Sequence, residues 1–292
     1  MKWLRMLAVI TALCCLLTPA AEAELAQDRH LDAAFTMLER DNVFLRRYNE
    51  LTGAEVEAWF ELGVPYFYGG TDVKRLLAKY PDYTVRDCWQ NSPVYYRKGT
   101  VYIYGFDCSG FARWVYETCG HPLKGSPLEM TKQPAHAAGK HIWCSAHGQP
   151  MPDSWDELHE TLRPGDMLVI RHPGTHVMLY MGTLRDYGFT AEEAPLLAAH
   201  LDKPLVIHCG TNPLFGARFQ HFLDTTKESK YYGAVTTDGG VAVAILGVPV
   251  SEAEHHEVVQ KQEQYWFSLD EGRTALTIID VDSADSWCWY RD

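Results

Sequence analysis

Apolar residues along the chain recur with two periods, and the change between them divides it. Leu31, Ala34, Phe35 and Leu38, continued by Phe44, Leu45 and Tyr48, have helical spacing and predict one or two amphipathic helices over about 28–50. Thr52-Gly53-Ala54-Glu55 is a capping-box sequence backed by Val56, Trp59, Phe60 and Leu62, so a further helix is expected to end at Gly63. Helical spacing returns after Cys108 and runs to about Thr118. Strand patterns follow. Met167 to Ile170 comes after the turn sequence Arg163-Pro164-Gly165-Asp166 and reads as a buried strand. From His176 to Gly182, alternation puts His176, Met178 and Tyr180 on one face and Val177, Leu179 and Met181 on the other. Leu205 to Cys209 is a third strand, on which His208 and Cys209 must face opposite sides.

Weaker signals fill the rest. Gly99 to Tyr104 is strand-like, and further strands are expected at Val241 to Val248 and around Ala275 to Val281. Ser154-Trp155-Asp156-Glu157 opens a short helix, and helices are also expected over 190–201 and 251–263. Residues 120–150 show no period and read as a long loop with short helical pieces. No repeat or Pro/Ser-rich linker separates a second unit, so one domain is expected over 24–292. Its parts are a helical section at about 28–62, a core at about 63–212 and an extension at about 213–292.

The first 23 residues do not belong to this pattern. Lys2 and Arg5 precede the apolar run Met6 to Leu17, and Ala21-Glu22-Ala23 is a small-x-small cleavage sequence. This predicts a secretory signal peptide, too short for a membrane span. A lipoprotein signal at Cys14 or Cys15 is the rival, disfavoured by the residues that precede each. An exported protein of the cell envelope follows, without a membrane span. With 292 residues, 47% of them hydrophobic, composition is that of an ordinary globular protein. With a net charge of −12 and no Lys/Arg run, the chain offers little to nucleic acid or to an anionic membrane, and neither is expected as a partner.

Six cysteines remain after residue 23: Cys88, Cys108, Cys119, Cys144, Cys209 and Cys288. In an exported chain they invite a disulfide reading, and no pair has the C-x-x-C spacing of a zinc site. His121, His136, His141 and His147 match no H-x-x-x-H pair, so no metal and no cofactor are expected. Cys119, eleven positions beyond Cys108 on the same helix face, reads as core filler.

Cys108 is different. Tyr104-Gly105-Phe106-Asp107-Cys108-Ser109-Gly110 is a glycine-flanked turn that delivers a cysteine to the start of a helix. Unpaired N–H groups and the positive dipole end there favour a thiolate over a thiol. A buried or disulfide-bonded cysteine is the alternative. Two histidines bear on the choice. His176 starts one strand and His208 ends the next, and a cysteine with two such groups is the arrangement thiol hydrolases use. The cysteine attacks, one imidazole moves the proton, and a third polar group fixes that imidazole.

Five blocks in order then resemble a known family. They are Gly63-Val-Pro-Tyr66-Phe-Tyr-Gly-Gly70, Phe106-Asp107-Cys108-Ser109-Gly110-Phe111, Leu162-Arg-Pro-Gly-Asp166, His176-Val-Met-Leu-Tyr-Met-Gly182 and Val206-Ile-His208. Together they make residues 53–212 similar to the NlpC-like cell-wall cysteine peptidases of the papain-like superfamily. The resemblance implies an α+β fold in which the helix carrying the nucleophile packs on a central antiparallel sheet. It implies Cys108 as nucleophile, His176 as base and then acid, and His208 as the orienting residue. By the same likeness, Tyr66 helps hold the oxyanion, and Asp107 and Ser109 help bind a free α-amine. The expected substrates are peptidoglycan stem peptides or muropeptides. The bond implied is the amide between γ-D-glutamate and the following diamino acid, broken through a Cys108 thioester. An amidase or acyltransferase using the same residues, or a non-catalytic wall-binding protein, is the alternative. Residues 71–104 and 183–204 are longer than in the family and read as insertions bordering the cleft.

Overall fold

A computed structural model describes residues 29–38, 42, 46, 49–50, 64–71, 78, 84–85, 99–123, 141–144, 162–171, 175–210, 239–246, 266–269, 272–279 and 286–291. The expected signal peptide, the capping-box helix at 52–62, the helix opened by Ser154 and the helix at 251–263 lie outside these residues.

Ten strands and one long helix are described. A two-stranded ribbon pairs β1 (Thr84–Val85) with β2 (Tyr102–Ile103). The other strands are β3 (His141–Cys144), β4 (Met167–Arg171), β5 (Thr175–Thr183), β6 (Pro204–Gly210), β7 (Gly240–Leu246), β8 (Trp266–Leu269), β9 (Gly272–Ile279) and β10 (Ser286–Arg291). They form one eight-stranded sheet in the order β3-β10-β4-β5-β6-β7-β9-β8, antiparallel except where β7 meets β9. The helix Cys108–Thr118 contacts β5 and β6 at the middle of this order. The molecule is α+β, a helix against a mainly antiparallel sheet.

The central strands pair as a continuous ladder because their patterns alternate in step. Leu168 lies opposite Trp289 on one side and Met178 on the other, and Met178 lies opposite His208. A second row runs from Tyr180 through Val206 to Ala244. Leu168, Met178, Tyr180, Val206, Ala244 and Trp289 belong to one buried cluster, so this face of the sheet is core. His208 therefore sits in an apolar row, fully buried. Removing such side chains from water contributes about 1.5–3 kcal/mol for each large one. A register shift between Tyr180 and Gly182, with Gly182 at φ 111°, ends the regular alternation of β5.

The helix begins where Asp107 caps it. The Asp107 carboxylate accepts the Gly110 N–H at 2.6 Å, and Phe111, Ala112, Val115 and Tyr116 form the buried stripe behind it. The Tyr116 hydroxyl donates to the Gly165 carbonyl at 3.1 Å, tying the helix to the Pro-Gly-Asp turn that leads into β4. His30, on the helical stretch 29–35, stacks on Tyr116 with ring centroids 4.1 Å apart and lies 3.3 Å from Nδ1 of His121.

Three elements depart from expectation. The stretch 120–150 contains β3, which His141–Cys144 form by pairing with β10, a partner nearly 150 residues away that local pattern does not reveal. Over 190–201 the chain forms turns and a 3-10 helix at Pro195–His200 in place of a regular helix. Cys119 is not enclosed: it is partly exposed at the helix end, its thiol 3.1 Å from the Arg29 carbonyl oxygen. Cys108, Cys119 and Cys209 are all free thiols.

Candidate active site

The turn that presents Cys108 is built from backbone. Pro65 bridges to Gly240 at the start of β7, and Tyr66 bridges to Phe106. The Phe106 N–H donates to the Pro65 carbonyl at 3.1 Å, and the Phe67 N–H returns to the Phe106 carbonyl at 2.7 Å. Two glycines permit this closeness. A Cβ on Gly105 would overlap the Pro65 carbonyl oxygen, and one on Gly110 would overlap that of Gly70. These contacts explain why the Tyr66 and Cys108 blocks occur together. They put Tyr66 two residues from Cys108 across a bridge.

Asp107 fastens the same turn with its side chain. Oδ1 accepts the Gly110 N–H at 2.6 Å and the Ser109 hydroxyl at 2.8 Å, and Oδ2 accepts the Gly69 N–H at 3.1 Å. Burial raises the carboxyl above its ordinary range, opposed by these hydrogen bonds. Asp107 and Ser109 thus have a local structural role as cap and cap partner.

Cys108 lies against the first residues of β5. Its thiol is 4.0 Å from the Thr175 carbonyl oxygen, and the Val177 backbone N–H stabilises its ionised form. The thiol thus meets the strand backbone on both sides of His176. Burial, then the charge of Asp107, pushes the Cys108 thiol up to about 12. The helix start does not deliver the resting thiolate that its dipole suggests, because desolvation outweighs the nearby N–H groups. The residue keeps part of its surface open to solvent, as attack on a substrate requires.

His176 and His208 are brought together. Nε2 of His176 is 2.9 Å from Nδ1 of His208, with the rings at 85°. Burial holds both imidazoles low: His176 well below its ordinary value, helped by His208, and His208 down to about 3. Both rings are neutral near pH 7. Nε2–H on His176 donating to His208 Nδ1 leaves His176 Nδ1 as an acceptor, the tautomer that a proton-moving imidazole needs.

One group near this site was not assigned a place in it from the sequence. Cys209 is fully buried, and its thiol reaches the Phe106 carbonyl oxygen at 3.3 Å. Alternation separates it from His208, yet it arrives at the base of the Cys108 turn. The only available signal was its position next to His208. Among the described residues, no three His, Cys, Asp or Glu side chains gather as a metal site would require.

Comparison with curated proteins and with solved structures gave no significant match. A family model, that of the NlpC/P60 family, matches residues 63–186. That stretch, which holds Tyr66, the capped Cys108 turn and His176 and stops short of His208, is the part of the chain similar to the NlpC/P60 family.

Proposed function

We propose that the protein is a cysteine endopeptidase of the cell envelope that hydrolyses peptidoglycan stem peptides at the γ-D-glutamyl–diamino acid amide. The NlpC/P60 match supports a cell-wall peptidase or amidase and a substrate related to peptidoglycan. Among the described residues no helix is long and apolar enough to cross a membrane. Export by a leader at residues 1–23, a single domain over 24–292 and a papain-like arrangement of helix and sheet complete the reading.

The observation that carries the proposal is the 2.9 Å contact between the rings of His208, on β6, and His176, on β5, the strand against whose start Cys108 lies. In the proposed reaction Cys108 is the nucleophile and His176 the base. With the thiol held high and the imidazole held low, the resting pair is neutral. Proton transfer to His176 Nδ1 therefore accompanies attack on the carbonyl carbon instead of preceding it. His208 accepts the Nε2–H of His176, fixing its tautomer and orientation. The Cys108 N–H, at the helix start, and Tyr66 are the proposed oxyanion donors. His176 then protonates the leaving amine, and water attacks the thioester with His176 again as base. Ser109, whose proton goes to Asp107, keeps lone pairs that suit a substrate ammonium, and Asp107 supplies the charge beside it.

Digestion of a defined muropeptide panel, with products identified by mass spectrometry, tests this function. Two hydrolysis products from the γ-D-glutamyl bond are expected. Cleavage elsewhere, a new amide joint in place of hydrolysis, or no cleavage with intact protein would overturn it.

A further inference from the structure

Cys209 is a buried thiol that the proposed reaction does not use, and it touches the nucleophile's turn. It stands on β6 next to His208, so one strand presents His208 to one face and Cys209 to the other. The Cys209 S–H donates to the carbonyl oxygen of Phe106 at 3.3 Å, two residues before Cys108. That carbonyl already accepts the Phe67 N–H at 2.7 Å, so it joins the Tyr66 segment, the Cys108 turn and β6. The sheet register gives a second link. One position beyond the Met178–His208 pair, the antiparallel ladder brings Cys209 level with Val177, whose N–H acts on the Cys108 thiol.

We propose that Cys209 is a positioning residue for Cys108, its thiol hydrogen bond fixing the Phe106 peptide so that β6 sets the nucleophile and the His208 partner of His176 together. The proton on sulfur is the working part. Burial and the nearby Cys108 and Asp107 hold the Cys209 thiol well above its ordinary value, so it stays a donor across the working pH range. Without that donor the Phe106 carbonyl keeps the Phe67 N–H but loses the thiol that ties it to β6. Cys108 then moves away from the Val177 N–H, the group that favours its ionised form. The thiol ionises less readily, and attack slows while substrate binding is unchanged.

This inference rests on Cys108 being the nucleophile. The test compares Cys209→Ala, Cys209→Ser and wild type in the full chain, with rates per folded molecule and folding checked by circular dichroism. On muropeptides, Cys209→Ala is expected to lower kcat at least fivefold with KM within twofold of wild type. Cys209→Ser, which keeps a donor, is expected to recover most of the loss. A second readout needs no substrate. Alkylation of Cys108 by iodoacetamide, followed on its own peptide by mass spectrometry, is expected to be at least threefold slower in Cys209→Ala and near wild type in Cys209→Ser. Unchanged kcat and alkylation in Cys209→Ala, a loss in KM alone, or equal impairment of both variants would overturn the inference. Cys108→Ala separates it from the underlying reading. If that variant still cleaves, both fail; if it is dead while Cys209→Ala matches wild type, the inference alone fails.

Discussion

Nε2 of His176 and Nδ1 of His208 are 2.9 Å apart across neighbouring strands, two residues out of direct register, since His208 lies opposite Met178. The offset lets the two rings meet edge to face, and a single proton between them sets the tautomer of both. His208→Ala removes the acceptor and leaves a buried imidazole nitrogen without it. Loss of the orienting group should lower kcat by about 10²-fold, within the range of acid–base contributions. The unmet nitrogen should cost about 1–3 kcal/mol of stability. Steady-state kinetics and urea melts measure both, and wild-type values for the two together would remove His208 from the account.

Stability should have a plateau bounded by these buried groups. His176 and His208 have folded pKa values below the ordinary 6.5, so between that value and the folded one the unfolded chain binds more protons. Their contribution is present above about pH 6.5 and is lost as pH falls towards about 3 for His208. Cys108 acts in the opposite sense. Its thiol keeps its proton up to about 12 when folded and releases it near 9 when unfolded, so stability falls as pH rises through that window. Urea midpoints from pH 4 to pH 10 test the shape, and replacing Cys108 by Ala should reduce the alkaline loss, to which buried Cys209 also contributes, and leave the acid side unchanged.

The same shifts bear on activity. A resting neutral pair needs unprotonated His176 and does not need a preformed thiolate, so kcat/KM should stay level down to below pH 6.5. A preformed thiolate–imidazolium pair would instead show its alkaline limb near neutrality. The pH profile on one muropeptide distinguishes them.

The turn itself should be intolerant of bulk. Gly110→Ala puts a methyl group onto the Gly70 carbonyl and within 2.7 Å of the Thr71 Cα, both backbone atoms that cannot step aside cheaply. A loss of about 3 kcal/mol or more is expected, seen as a lowered Tm or as insoluble protein. Asp107→Ala should be milder, about 1 kcal/mol for the lost cap.

Much of this site was legible because its signals are local. The Asp107-Cys108-Ser109-Gly110 turn announces a capped helix, and the helix does begin at Cys108. Alternation in β5 and β6 put His176 and Met178 on one face, and His208 is where that pattern leads. What stayed hidden depends on partners far along the chain. Ser286–Arg291 inserts as β10 between β3 and β4, and nothing near Ser-Trp-Cys-Trp-Tyr-Arg names either neighbour. The ionisation state of Cys108 is not legible locally for a related reason: the dipole of its own helix is local, whereas the desolvation that opposes it comes from the surrounding fold. Cys209 was legible only as the residue facing away from His208, not as one touching Phe106.

The most direct test of the central claim is to trap the intermediate. Intact-protein mass spectrometry after rapid acid quench of a muropeptide reaction should show an acyl adduct, and peptide mapping should place it on Cys108. Cys108→Ala should form no adduct and give no cleavage. An adduct on another residue, or cleavage by Cys108→Ala at the wild-type rate, would contradict the account.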